Sequence, residues 1–161
     1  MIHNEQFAKV RELIDDIDIC MFVTQNGVKF KSRPFSTTKV DEAGNIWFFT
    51  NKDSDTIEEL KTSFQVNLAY SHPGNNDYLS VSGNAFMVED QEKINELWSP
   101  VLKAWFPEGK ESENVILIKV EPHGAAYWDA SDNKLVELFK IGKALVTGNK
   151  YDSAEMAQMS L

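Results

Sequence analysis

Only two arginines occur in this chain, Arg11 and Arg33, so few side chains can fork onto an anion. Arg33 stands in Ser32-Arg33-Pro34-Phe35-Ser36-Thr37-Thr38, a stretch rich in hydroxyls. On a strand, Arg33, Phe35 and Thr37 point one way while Ser32, Pro34 and Ser36 point the other. Pro34 has no N–H for a ladder, which suits an edge or a bulge where the backbone can meet a ligand. Further on, the aromatic run Trp47-Phe48-Phe49-Thr50 leads into Asn51-Lys52-Asp53-Ser54-Asp55-Thr56. Thr50, Ser54 and Thr56 offer hydroxyls, and a helix beginning there presents unpaired backbone N–H groups. Taken singly, these residues have plainer roles: Arg33 in a surface ion pair, Thr50 and Ser54 in a turn and a cap. A guanidinium, clustered hydroxyls and free amides together have the chemistry of a phosphate grip.

Other chemistries find less support. His3, His72 and His123 are scattered without ligand spacing, so no metal site is expected. Cys20, the single cysteine, lies in the apolar run Ile19-Cys20-Met21-Phe22-Val23, which reads as a buried, inert thiol. It leaves no intrachain disulfide. Ser82-Gly83 lacks the Gly-x-Ser-x-Gly frame of a nucleophile elbow. No Gly-x-Gly-x-x-Gly follows a strand pattern, so a dinucleotide fold is not indicated. Sixteen Lys and Arg against twenty-five Asp and Glu give a formal charge of −9, which disfavours nucleic acid as a partner. No run approaches the roughly eighteen apolar residues of a membrane helix. The start, Met-Ile-His-Asn-Glu-Gln, lacks a basic then apolar leader pattern, and the expected location is cytoplasmic.

Elements that could position these residues follow from periodicity. Phe7, Val10, Ile14 and Ile17 recur at helical spacing from Asn4 to about Asp16. An apolar strand over Ile19–Gln25, the hairpin signal Asn26-Gly27 and a returning strand over Phe30–Val40 come next. Ile46–Thr50 reads as an aromatic strand, and a short helix capped by Ser54 or Asp55 spans about Thr56 to Thr62. Strands are expected at Val66–Tyr70 and Tyr78–Val88, then a helix bearing Ile94, Leu97 and Trp98, restarted at Ser99-Pro100. Two more strands, about Val115–Val120 and Gly124–Trp128, precede a last helix carrying Leu135, Leu138, Phe139 and Leu145, stopped by Gly148. Trp98 and Trp105 read as core or seam fillers. The pattern is mainly β (α+β): a six- to seven-stranded antiparallel barrel with peripheral helices, read as one domain over 1–161 with about ten loose residues at the end.

The order and spacing of several pieces resemble a known family. Arg33-Pro34-Phe35, Trp47-Phe48-Phe49-Thr50 and Ser54, then Ser80-Val81-Ser82-Gly83-Asn84-Ala85, come first. Leu97-Trp98-Ser99-Pro100, Trp105-Phe106-Pro107-Glu108-Gly109 and Ala126-Tyr127-Trp128-Asp129 follow. From about residue 5 to residue 148, the chain is similar to the general stress protein branch of the pyridoxamine 5′-phosphate oxidase-like split barrels, which bind flavin mononucleotide (FMN). The resemblance implies a split β-barrel homodimer with FMN at the subunit interface, and a flavin-dependent oxidoreductase exchanging electrons with small molecules. The alternative is a non-enzymatic flavin-binding or buffering stress protein. It implies flavin contacts at Arg33, Pro34, Phe35, Ser36, Phe49, Thr50, Ser54, Thr56 and Trp128, and it assigns no catalytic residue. FMN is the expected cofactor, with FAD, a deazaflavin or haem as alternatives. The chain departs from the family where Thr56, beside Asp55, replaces a lysine of the Ser-x-Lys element; losing that charged bond should weaken phosphate binding by roughly 1–3 kcal/mol. Lys52 and Lys61 are candidate replacements. No arginine follows Arg33, which argues against a true vitamin B6 phosphate oxidase.

Overall fold

The computed structural model describes residues 2–131 and 133–139. Helix α1 (Ile2–Ile17) buries Phe7, Val10, Leu13 and Ile14 along one stripe and packs against the sheet. Asp18, in a left-handed conformation, turns the chain into β1 (Ile19–Asn26). Gly27, with φ +62°, makes the hairpin to β2 (Lys29–Ser36), which pairs with β1 in antiparallel register from Ile19↔Ser36 to Asn26↔Lys29.

The expected single strand over Phe30–Val40 is in fact two. β2 stops at Ser36, and β3 (Lys39–Val40) belongs to the other side of the barrel. Between them, Thr37 N–H bonds Asp18 O at 3.0 Å, still beside β1, while Thr38 N–H bonds Trp47 O at 2.8 Å. The chain thus crosses from one strand group to the other within two residues. β4 (Ile46–Asn51) pairs with β3 and leads through Ser54 into α2 (Asp55–Leu60). β5 (Gln65–His72) and β6 (Asp77–Val88) follow, then α3 (Gln91–Leu97) and a 3₁₀ turn over Pro100–Ala104.

The two strands expected after residue 114 are one, β7 (Val115–Asp129). Pro122, which would break a regular ladder, sits opposite Gly83 at a register shift, where a bulge absorbs its missing N–H. A Cβ on Gly83 would lie 2.6 Å from Glu121 O, so only glycine allows this approach.

Residues Lys134–Phe139 form a strand, β8, where a helix was expected. Val136 and Leu138 are buried while Leu135 and Glu137 are exposed, a period of two. The second half of β7 supplies the partner edge, from Gly124↔Phe139 to Asp129↔Lys134. Leu145, Gly148 and the end of the chain lie outside the described residues.

The eight strands of the described residues form one antiparallel sheet in the order β2-β1-β5-β6-β7-β4-β3, with β8 on β7. The sheet curls around a core that includes Phe22, Phe48, Leu68, Val81 and Ile118 without closing, an open split barrel with helices outside. A second core lies on the outer side of β4, where Trp47, Phe49 and Leu117 meet Ile94, Leu97 and Phe106. Trp98 packs there, edge-on to Phe49 at 5.6 Å. Trp105 is 65% exposed and fills neither core.

Candidate functional site

The strand directions set the site. Phe35 on β2 faces inward, its ring 5.0 Å from Phe22 and 5.9 Å from Phe48 on β4. Two residues back on β2 is Arg33, and two residues on along β4 is Thr50, each on the same inner face as its aromatic neighbour. Helix α2 covers that end of the barrel. Its N-cap, Ser54, accepts a hydrogen bond from Ile57 N–H at 3.4 Å and one from the Thr50 hydroxyl at 3.3 Å. At its other end, buried Glu59 reaches Arg33. Five residues at 1.5 Å rise separate the two ends, about 8 Å, so one short helix ties Thr50 and Arg33 together.

Arg33 is firmly held. Its Nη2 donates to Glu59 Oε2 at 2.8 Å, and its Nη1 donates to Thr24 Oγ1 at 2.8 Å and more loosely to Phe22 O at 3.5 Å. Glu59 is only 4% exposed; it also accepts from the Thr24 hydroxyl and lies 3.2 Å from Lys31 Nζ. Burial works to raise the Glu59 pKa, but the bonds from Thr24, Arg33 and Lys31 outweigh it and hold the carboxyl below its ordinary value. Glu59 therefore stays charged at neutral pH. Thr56, one turn before Glu59, is also buried.

The sequence reading did not single out Glu59, Thr24 or Lys31. A signal was present: Glu59 falls among Thr56, Ile57 and Leu60 on the buried side of α2, where a carboxylate must find donors. An arginine sharing the inward face of Phe35 needs a counterion for the same reason.

The expected contact residues divide into three places. Arg33, Phe35, Thr50, Ser54 and Thr56 gather at the α2 end of the barrel. Pro34 and Ser36 lie exposed on the outer face of β2, and half-buried Trp128 lies opposite Leu135 on β8. Phe49 points into the second core, between Trp98 and Phe106. Lys52 pairs with Glu89 at 3.2 Å and Lys61 with Glu58 at 2.6 Å.

The outer face of β5, β6 and β7 carries small side chains: Ala69 opposite Ser80, and Ser80 opposite Ala126. Asn67 donates to Ser80 Oγ at 2.8 Å and to Ser82 Oγ at 3.3 Å. An open cleft of about 310 Å³ lies here, lined by Ser80, Ser82, His123, Gly124, Ala126 and Glu137 among others. Exposed Ile19 and Met21 flank the face on β1. Among the described residues, no group of His, Cys, Asp and Glu could hold a metal ion, and no helix is long and apolar enough to cross a membrane.

An open antiparallel split barrel with helices outside defines the class. The chain belongs to the pyridoxamine 5′-phosphate oxidase like family, whose model it matches over residues 5–152. It is 27% identical to general stress protein 26 of Bacillus subtilis over 133 residues, which are 81% of this chain and 93% of that protein. It is 25% identical to protein bli-3 of Neurospora crassa over 138 residues, 80% of this chain and 66% of the longer relative. Among solved structures, the general stress FMN/FAD binding protein of Xanthomonas citri superposes with a TM-score of 0.69 at 28% identity, covering 81% of this chain and 90% of that one. General stress protein 26 of Bacillus anthracis, at 23% identity and a TM-score of 0.71, covers 83% of this chain and 99% of its own and shares the fold. The resemblance to the general stress protein branch is borne out.

Proposed function

We propose that this chain, acting as one domain, binds FMN between two copies of itself and serves as a cytoplasmic flavin-dependent oxidoreductase. The observation that carries the reading is the convergence of Arg33, Thr50, Ser54 and Thr56 at the end of the barrel covered by α2. Three of the five guanidinium N–H donors of Arg33 are engaged among the described residues, which leaves donors for a ligand. Family membership supports the cofactor class, as does the 28% identity to a protein named for FMN/FAD binding. FAD, a deazaflavin and haem are the competing cofactors.

A flavin, when bound, supplies the electron-pair chemistry. The chain supplies the rest. Arg33 and the hydroxyls of Thr50 and Ser54 orient polar edges, and Phe35 walls the inner side. Phe49, its ring committed to the second core, contributes main chain. Pro34, Ser36 and Trp128 lie on the outer face, where a second copy would bring its own residues. The small side chains there let a flat partner approach closely, and exposed Ile19 and Met21 add apolar area to bury. No residue is assigned a catalytic role. The absence of any arginine after Arg33 supports a substrate other than a vitamin B6 phosphate.

The test is an absorbance spectrum and an FMN titration of the purified protein, with its mass in solution. A band near about 450 nm, FMN affinity in the micromolar range or tighter and a dimer mass are expected. A colourless monomer without FMN affinity ends the reading. Flavin binding with no turnover of NADH or NADPH by any acceptor favours a flavin-buffering role instead.

A further inference from the structure

The cations around α2 are already matched by carboxylates. Lys61 pairs with Glu58 and Lys52 with Glu89, both pairs largely open to water. Such exposed pairs are weak and rearrange easily. The pair between Arg33 and Glu59 is different. Glu59 is 4% exposed, and its second oxygen lies 3.2 Å from Lys31 Nζ. The adjoining cavity, about 150 Å³, is lined by Asn26, Lys31, Asp55, Glu58, Glu59 and Thr62; with Glu58 already paired to Lys61, Asp55 and Glu59 stand against Lys31 and the neighbouring Arg33, two carboxylates against two cations. Helix α2, at six residues, is too short for its dipole to tip that balance.

A phosphate reaching Arg33 therefore meets a guanidinium whose charge is already compensated at contact distance. It finds hydrogen-bond donors but little net field. We propose that Glu59 determines ligand specificity at the flavin site: by neutralising Arg33 it strips the terminal phosphate of most of its contribution, so the pocket holds riboflavin nearly as well as FMN. This rests on the flavin-binding reading above. A terminal phosphate held by an uncompensated arginine would be favoured about 10- to 100-fold. Here the expected preference for FMN is less than about tenfold.

The experiment titrates the full chain with FMN and with riboflavin, following flavin fluorescence and heat, at low and high salt. Wild-type protein should give similar dissociation constants for both ligands, with little salt dependence. Glu59→Gln keeps the size of the side chain and an acceptor for Arg33 while removing the charge. It should tighten FMN at least about tenfold, leave riboflavin unchanged and make only FMN binding salt-sensitive. A wild-type preference for FMN of about tenfold or more overturns the proposal and leaves the flavin site standing. So does a Glu59→Gln protein, folded by circular dichroism, in which the ratio does not move. If that variant fails to fold, the wild-type ratio alone decides. If neither flavin binds wild-type protein, the flavin site itself falls and the proposal with it.

Discussion

Replacing Arg33 with leucine tests how the α2 end of the barrel is held. The change removes a guanidinium bonded at 2.8 Å to Glu59 Oε2 and at 2.8 Å to Thr24 Oγ1. Glu59 keeps the Thr24 hydroxyl and Lys31, whose side chain is 49% exposed. Stripping one partner from a buried pair costs about 3–5 kcal/mol, and the surviving Lys31 places this case at the low end. With roughly 2–4 °C per kcal/mol for a chain of this size, about 3 kcal/mol lowers the melting temperature by about 6–12 °C at neutral pH.

The sign of the pH dependence follows from the same contacts. In the wild-type protein the Glu59 pKa lies below the ordinary 4.5, because its donors outweigh burial. That carboxylate contributes stability fully present above the unfolded pKa and lost as pH falls through the folded one. Without Arg33, one of the donors that oppose burial is lost and the pKa rises. The variant then relieves its deficit by taking up a proton, so the gap in melting temperature is widest near pH 7 and narrows toward about pH 4. Thermal melts by circular dichroism across that range read both effects. A variant within about 2 °C of wild type at neutral pH, or a gap that does not change with pH, refutes the reasoning. Combining Arg33→Leu with Glu59→Leu should restore part of the loss, since both charges leave together.

Gly83→Ala should destabilise by about 1–3 kcal/mol, because the new Cβ meets the Glu121 carbonyl at 2.6 Å and Val120 Cγ1 at 2.9 Å. A urea midpoint unchanged from wild type would show that β7 can give way there. Ser54→Ala removes both the cap on Ile57 N–H and the acceptor of the Thr50 hydroxyl, and should cost about 1 kcal/mol. The effect is read as faster amide exchange in α2, with exchange equal to wild type as the contrary result. Burial pushes the Cys20 thiol up to about 12, against an opposing hydrogen bond from Tyr70. Labelling by a thiol-specific disulfide reagent at about pH 8 should therefore wait on unfolding, and full labelling within seconds of mixing with native protein would contradict this.

What the sequence reveals here depends on how far away the deciding partner lies. Asn26-Gly27 announces its hairpin because the turn needs only a residue that accepts positive φ. Ser54 announces its cap because the N–H it satisfies is three residues on. The segment Lys134–Phe139 is ambiguous on its own, since Leu135, Leu138 and Phe139 fit a helix while Val136 and Leu138 fit a strand. The free edge of β7 decides, and nothing local reports that edge. Continuity of β7 through Pro122 likewise depends on Gly83, some forty residues earlier.

The same distinction governs the site. Lys61 and its counterion Glu58 are one helical turn apart, so that neutralisation is legible in the chain. Arg33 and Glu59 are separated by 26 residues and meet only because β2 and α2 close the same end of the barrel. Composition and spacing identify the cation and its hydroxyl neighbours. They do not identify the carboxylate, and the carboxylate determines how much charge the cation has left for a ligand. A grip read from an arginine and a few hydroxyls is therefore an upper bound on anion affinity until every inward-facing acid near it has been located.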